Sequence, residues 1–216
     1  MRFAKIQGAL DVLGTAVAVN VLLVVTAAPL IAVVMFTDAF ALWPLVAVTA
    51  VLAAPGLTAA FTVFAAPHDG VFRTFWRGYR TTWRRAAAIA GGAALVVVVL
   101  VVDVRFFADT PFAQAAMVVL VVTGLLVAGT ALLALAAIAE QPGIAVRDAV
   151  RRGAWFGVRR WYLTALSIVA FAVFAAAFVT LPLLALSVLA APAVYLAWTN
   201  CRFTLHPAAH LADVRA

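Results

Sequence analysis

Val71-Phe72-Arg73-Thr74-Phe75-Trp76-Arg77-Gly78-Tyr79-Arg80-Thr81-Thr82-Trp83-Arg84-Arg85 runs directly into a charge-free stretch that lasts to Val102, and this junction decides how the chain is read. At about 100° per residue on a helix, Phe72, Phe75, Trp76, Tyr79 and Trp83 fall within about 100° of arc. Arg73, Arg77, Arg80 and Arg84 form a second stripe about 60° wide beside them. Aromatic rings favour the boundary between acyl chains and water, and guanidinium groups favour lipid phosphate or water. The pattern predicts a short helix lying flat on a membrane surface, with a transmembrane span beginning near residue 86.

Outward from this junction, composition supports the same class. Hydrophobic residues make up 68% of the 216 positions and charged residues 11%, which fits no soluble globular protein. Several charge-free runs approach or exceed the ~18–20 residues needed to cross a bilayer. Six spans are expected, at about 12–36, 41–66, 86–107, 113–139, 162–180 and 183–200, in one membrane domain with cytoplasmic loops at 67–85 and 140–161. The fold class is therefore an all-α polytopic membrane protein with short amphipathic cytoplasmic interfacial helices. The last two spans rest on a length argument. Residues 163–199 carry no charge, and one helix of that length would run about 55 Å against a hydrocarbon core of about 30 Å. Thr180-Leu181-Pro182 is the expected break, the competing reading being one tilted helix or a re-entrant segment.

Six spans also give the strongest charge asymmetry. With the N-terminus inside, the cytoplasmic side receives Arg2, Lys5, Arg73, Arg77, Arg80, Arg84, Arg85, Arg147, Arg151, Arg152, Arg159, Arg160, Arg202 and Arg215, leaving Arg105 alone of the 15 basic residues outside. Both termini are thus expected to be cytoplasmic. Arg2 and Lys5 precede an apolar segment longer than a signal-peptide core, so the first span is expected to stay as an anchor. The net charge of +7 is topogenic and brings no recognition module, so nucleic acid is not an expected partner. Fourteen arginines against one lysine, with abundant Ala and Val, suggest a GC-rich bacterial source.

The two basic segments resemble each other. A gapless shift of 75 residues aligns Pro67 with Pro142, Val71 with Val146, Arg77-Gly78 with Arg152-Gly153, and Arg84-Arg85 with Arg159-Arg160. Two helix–loop–helix units are read as a candidate parallel repeat. The competing reading is that any basic loop entering a span looks like this.

Three stretches resemble the YesL-type family of bacterial integral membrane proteins. Asn20 followed by Pro29 is similar to that family's N-terminal segment, Pro55-Gly56-Leu57-Thr58-Ala59-Ala60-Phe61 resembles its G-P-A-x-T-A-L-Y stretch, and Val71–Tyr79 resembles its F-x-x-F-F-x-x-F loop. The likeness is firmest over 55–85 and weaker at 12–29. About twenty extra residues separate the first two stretches in this chain, and Glu140-Gln141-Pro142 stands where the family tends to carry an aromatic–proline pair. The family is largely uncharacterised. The resemblance implies a bacterial cytoplasmic membrane protein with an accessory role in carbohydrate uptake, its partner a sugar-importer permease, and it carries no catalytic residues across.

Few residues suggest chemistry. Asn20 is a strongly polar side chain deep in a span, and in lipid it should seek another helix's hydroxyl or a freed carbonyl. Pro29, Pro55, Pro182 and Pro192 each free a carbonyl and are expected to kink or end a span. Gly91-Gly92 reads as close helix packing. His206 and His210 stand four apart, but Pro207 intervenes and a third ligand beyond His68 or Glu140 is not evident. Cys201 reads as a small apolar residue near a helix end. Protease, phosphate-loop, dinucleotide and haem motifs are not found, so neither enzymatic activity nor a cofactor or metal is expected.

The expected working surface is therefore Phe72, Arg73, Phe75, Trp76, Arg77, Tyr79, Arg80, Trp83 and Arg84, with Arg152, Arg159 and Arg160 from the second loop. Its expected partners are membrane lipids, a sugar-importer permease or a second copy of the chain. The alternative is a small transporter or channel acting as an oligomer, for which only Asn20, Thr26, Thr49, Thr62, Thr130 and Ser167 offer polar groups within the spans.

Overall fold

The computed structural model describes residues 2–38, 41–66 and 70–205, with side chains from Leu13 onward. His68, His206 and His210, Pro67, Arg215 and the side chains of Arg2 and Lys5 lie outside this description. The described chain is helical throughout: α1 (Arg2–Phe36), α2 (Trp43–Ala65), α3 (Val71–Phe107), α4 (Ala113–Glu140), α5 (Val146–Arg159), α6 (Trp161–Thr180) and α7 (Pro182–Leu205). Six of these, all but α5, are long and apolar enough to cross a membrane. The protein is an all-α, multi-pass integral membrane protein.

The break expected at Thr180-Leu181-Pro182 is present. Leu181 leaves the helix at φ −140°, ψ 70°, and Pro182 opens α7, where its missing N–H costs nothing. Pro29 and Pro55 instead lie within continuous helices. Inside α7, Ala185–Leu189 forms a π-helical turn in which the Ala190 N–H reaches the Ala185 carbonyl, just ahead of Pro192.

The expected boundary between a surface helix and a span near residue 86 is absent. Residues 71–85 are not a separate helix lying flat on the membrane. They are the first four turns of α3, which continues unbroken to Phe107. Thirty-seven residues span about 55 Å, so α3 overshoots a hydrocarbon core of about 30 Å by several turns. Ala86-Ala87-Ala88 follows Arg84-Arg85 and carries the helix through, since alanine has the highest helix propensity. Gly70 starts α3 with φ +78°, a backbone conformation that favours glycine. The second basic segment does contain a short amphipathic helix, α5, which breaks from α6 at Arg160 (φ −123°, ψ 46°).

The helix boundaries follow the 75-residue shift. α2 ends at Ala65 and α4 at Glu140, while α3 begins at Val71 and α5 at Val146. All three buried residues of α5, Ala149, Gly153 and Gly157, have buried counterparts in α3 at Thr74, Gly78 and Thr82. Each hairpin thus buries the same small-residue stripe.

Packing is concentrated toward the arginine-bearing end. The buried core gathers Ala54–Val63 of α2, Phe75 of α3, Leu132–Ala139 of α4, Ala149 of α5 and Ala191–Cys201 of α7. By contrast, only 6% of the most apolar windows of α3 and α6 is buried, which leaves their Val and Leu side chains to lipid. The close approaches are made by glycines other than the expected pair. A Cβ at Gly153 would lie 2.7 Å from the Thr130 carbonyl oxygen and 3.2 Å from the Ala134 nitrogen, while at Gly56 and Gly78 it would overlap Thr26 and Thr62. Gly91 reaches only Val51, at 4.0 Å, and Gly92 faces open space. The Gly91-Gly92 reading of close packing is therefore corrected: neither glycine makes a close approach to a neighbouring helix.

Candidate interaction surface

The basic end is assembled by arginines that tie helix ends together. The Arg85 guanidinium donates to the carbonyls of Pro142 and Ile144 (3.2 Å for the latter) in the turn between α4 and α5. Seventy-five positions later, Arg160 donates to the Phe203 carbonyl near the end of α7 at 2.9 Å. Arg152 donates to the Gln141 side-chain oxygen at 3.2 Å. Carbonyls at helix C-termini lack intrahelical donors and carry the negative end of the dipole, so arginine suits them doubly. These bonds fix the end of α4, the turn after it, α5 and α7 as one platform.

The aromatic stripe of α3 divides. Phe75 is fully buried in the core and Tyr79 is half-buried against it. Phe72, Trp76 and Trp83 stay exposed, at 58%, 40% and 48%. Phe75, Trp76 and Tyr79 form an edge-to-face ladder with centroids 6.0 and 5.6 Å apart, which connects the inner rings to the outer one. Arg73, Arg77, Arg80 and Arg84 are exposed. Arg73, Arg77 and Arg80 join Phe72, Trp76 and Thr81 around a shallow concavity of about 630 Å³. Trp83 and Arg84 stand outside it, paired with each other by a cation–π contact at 5.4 Å.

A second, larger concavity of about 1270 Å³ lies along α5. Of the expected residues it includes Arg152 and Arg159, joined by Arg151, Asp148, Trp155 and Phe156. Under the 75-residue shift, Arg73, Trp76, Arg77, Arg80 and Thr81 correspond to Asp148, Arg151, Arg152, Trp155 and Phe156. The two concavities are repeat-related, with arginine and tryptophan exchanged at two positions. Arg160 takes no part in either, because it turns inward to α7.

Asn20 lies far from this surface and serves the fold. It is buried, and its carboxamide donates to the Ser187 carbonyl and accepts from the Ala191 N–H, both at 2.6 Å. Ser187 and Ala191 are four apart, the pair that an unbroken α-helix would bond to each other. The side chain of Asn20 supplies both halves of the bond that the π turn opens. Asn200, a residue outside the expected set, makes a second buried polar contact, donating to the Ser167 hydroxyl at 3.2 Å. Its signal in the sequence is weak, since it stands at the expected span boundary where a polar residue needs no partner. Thr26, Thr49, Thr62 and Ser167 bond carbonyls of their own helices at 2.7–3.1 Å, a local arrangement that leaves little for a solute. Among the described residues no group of His, Cys, Asp or Glu could hold a metal ion, and Cys201 is a buried free thiol.

Compared with known proteins, the chain matches no family model, no curated protein and no solved structure.

Proposed function

We propose that the protein is a non-enzymatic accessory component of a bacterial cytoplasmic membrane. Both termini and the whole basic end face the cytoplasm, and a membrane partner docks on the projecting first turns of α3. One observation carries this reading. α3 overshoots the bilayer and holds Phe72 and Trp76 exposed beside Arg73, Arg77 and Arg80 on a platform braced by Arg85. Exposed aromatics interleaved with arginine are the residue types enriched in protein–protein contacts. The excess of arginine at this end supports the orientation. The resemblance over 55–85 to the YesL-type family supports a sugar-importer permease as the partner.

The test is purification of the tagged protein from its native membranes in mild detergent, with mass spectrometry of the proteins that accompany it. The expected result is recovery of a solute-importer permease, lost on combined Arg73→Gln, Arg77→Gln and Trp76→Ala substitution at unchanged protein level. Recovery of the protein alone, as a stable homo-oligomer, would overturn the accessory reading and favour a small oligomeric transporter or channel.

A further inference from the structure

The concavity along α5 adjoins a second hollow of different character. Because the chain breaks at Arg160, α6 leaves at an offset from α5, and an apolar groove of about 350 Å³ opens between α4, the end of α5 and α6. Val122, Leu126 and Gly129 form one wall, and Gly157, Trp161 and Ile168 the other. Val158 lines both this groove and the basic concavity, so the two adjoin. On the basic side, Arg151, Trp155 and Arg159 stand at i, i+4 and i+8, one above another on the exposed face of α5. Trp155 and Trp161 are 66% and 68% exposed, and Tyr162 beside them is 56% exposed. Amphipathic rings of this kind mark the headgroup level of a bilayer. The full set of charged side chains around the concavity is Arg151, Arg152, Arg159 and Asp148, and Arg152 is held by Gln141. Arg151 and Arg159 therefore face outward without a bonded partner among the described contacts.

A positively charged hollow at headgroup level, adjoining a groove of aliphatic and aromatic side chains on the membrane side, fits one kind of molecule. We propose that this composite site binds an anionic glycerophospholipid, with its phosphate against Arg151 and Arg159 and one acyl chain in the groove between α4 and α6. A soluble acidic partner would satisfy the arginines and leave the groove unused, and an apolar helix would do the reverse. The α3 concavity, with Arg73, Arg77 and Arg80 on an unbroken helix, supplies an internal control from which the same number of charges can be removed.

The experiment is native mass spectrometry of the full chain, released from detergent and titrated with phosphatidylglycerol or phosphatidylcholine of matched chains. The expected result is one phosphatidylglycerol held in preference to phosphatidylcholine. Each arginine near an anionic lipid surface contributes about fivefold in affinity, so Arg151→Gln with Arg159→Gln should lower the preference about 25-fold. Arg73→Gln with Arg80→Gln should lower it less than about threefold. Ala165 of α6 also lines the groove, and Ala165→Phe, which fills it and leaves every charge in place, should also displace the lipid. Retention of the preference in the Ala165 variant would show adventitious surface charge only and overturn the proposal. So would equal losses in the two arginine pairs, or a homodimer that the Ala165 variant abolishes with no lipid preference at all.

Discussion

Asn20→Ala tests how the last helix is held. In the folded chain the carboxamide of Asn20 bonds the Ser187 carbonyl and the Ala191 N–H, both at 2.6 Å. Side-chain hydrogen bonds between transmembrane helices contribute about 0.6–1.7 kcal/mol each, so removing two costs about 1–3 kcal/mol. The loss cannot be recovered by simple closure of the α-helix. The π turn shifts the register over Ala185–Leu189, and Pro192 has no N–H to offer the Val188 carbonyl. A central value of about 2 kcal/mol corresponds to about thirtyfold in the folded-to-unfolded ratio. The assay is reversible unfolding of the detergent-solubilised protein with increasing dodecyl sulfate, followed by tryptophan fluorescence. Destabilisation below about 0.5 kcal/mol in Asn20→Ala would mean that Ser187 and Ala191 re-form their own bond, and the bracing role would be refuted.

Two further expectations concern packing and the basic platform. Gly153→Ala places a Cβ 2.7 Å from the Thr130 carbonyl oxygen, a backbone atom that cannot swing aside, and should cost about 1–3 kcal/mol by the same unfolding assay. Gly92→Ala meets nothing within 4 Å and should be neutral or stabilise by up to about 1 kcal/mol through helix propensity. Arg85→Gln removes the single guanidinium nitrogen that donates to both the Pro142 and Ile144 carbonyls. Tryptic cleavage at Arg147 should then quicken about fivefold, equivalent to about 1 kcal/mol of local stability, and an unchanged rate would detach Arg85 from that turn.

What was legible in the sequence follows the range of the forces involved. Hydrophobic length and charge asymmetry are collective and local, and they marked the six spans and the break at Pro182. Tertiary choices were harder. The amphipathic stripe of Phe72, Phe75, Trp76, Tyr79 and Trp83 is a real feature of the helix, but its orientation depends on α2 and α4. Those helices take Phe75 inside and leave Phe72, Trp76 and Trp83 out. The Arg84-Arg85 and Arg159-Arg160 pairs look alike, yet α3 continues past the first and the chain breaks at the second. Alanines follow one pair and Trp161-Tyr162 the other, and Arg160 is drawn aside to Phe203. Asn20's need for a partner was legible from the cost of a bare amide in lipid. Its partners were not, because they exist only where the π turn opens α7. The glycine pair at 91–92 drew notice by adjacency, whereas the glycines that pack, Gly56, Gly78 and Gly153, are single residues facing a neighbouring helix.

Sided cysteine labelling tests the central claim most directly, since the platform, the projecting α3 and the lipid site all require one shared side. In a Cys201→Ala background, single cysteines at Thr81 in α3, Ala154 in α5 and Leu183 at the opening of α7 would be challenged with a membrane-impermeant maleimide in intact cells and in inverted vesicles. All three positions are exposed. Labelling is expected at 183 in intact cells, and at 81 and 154 only in inverted vesicles. Labelling of 183 from the same side as 81 and 154 would contradict the six-span arrangement, and labelling of 81 and 154 from opposite sides would dismantle the basic platform.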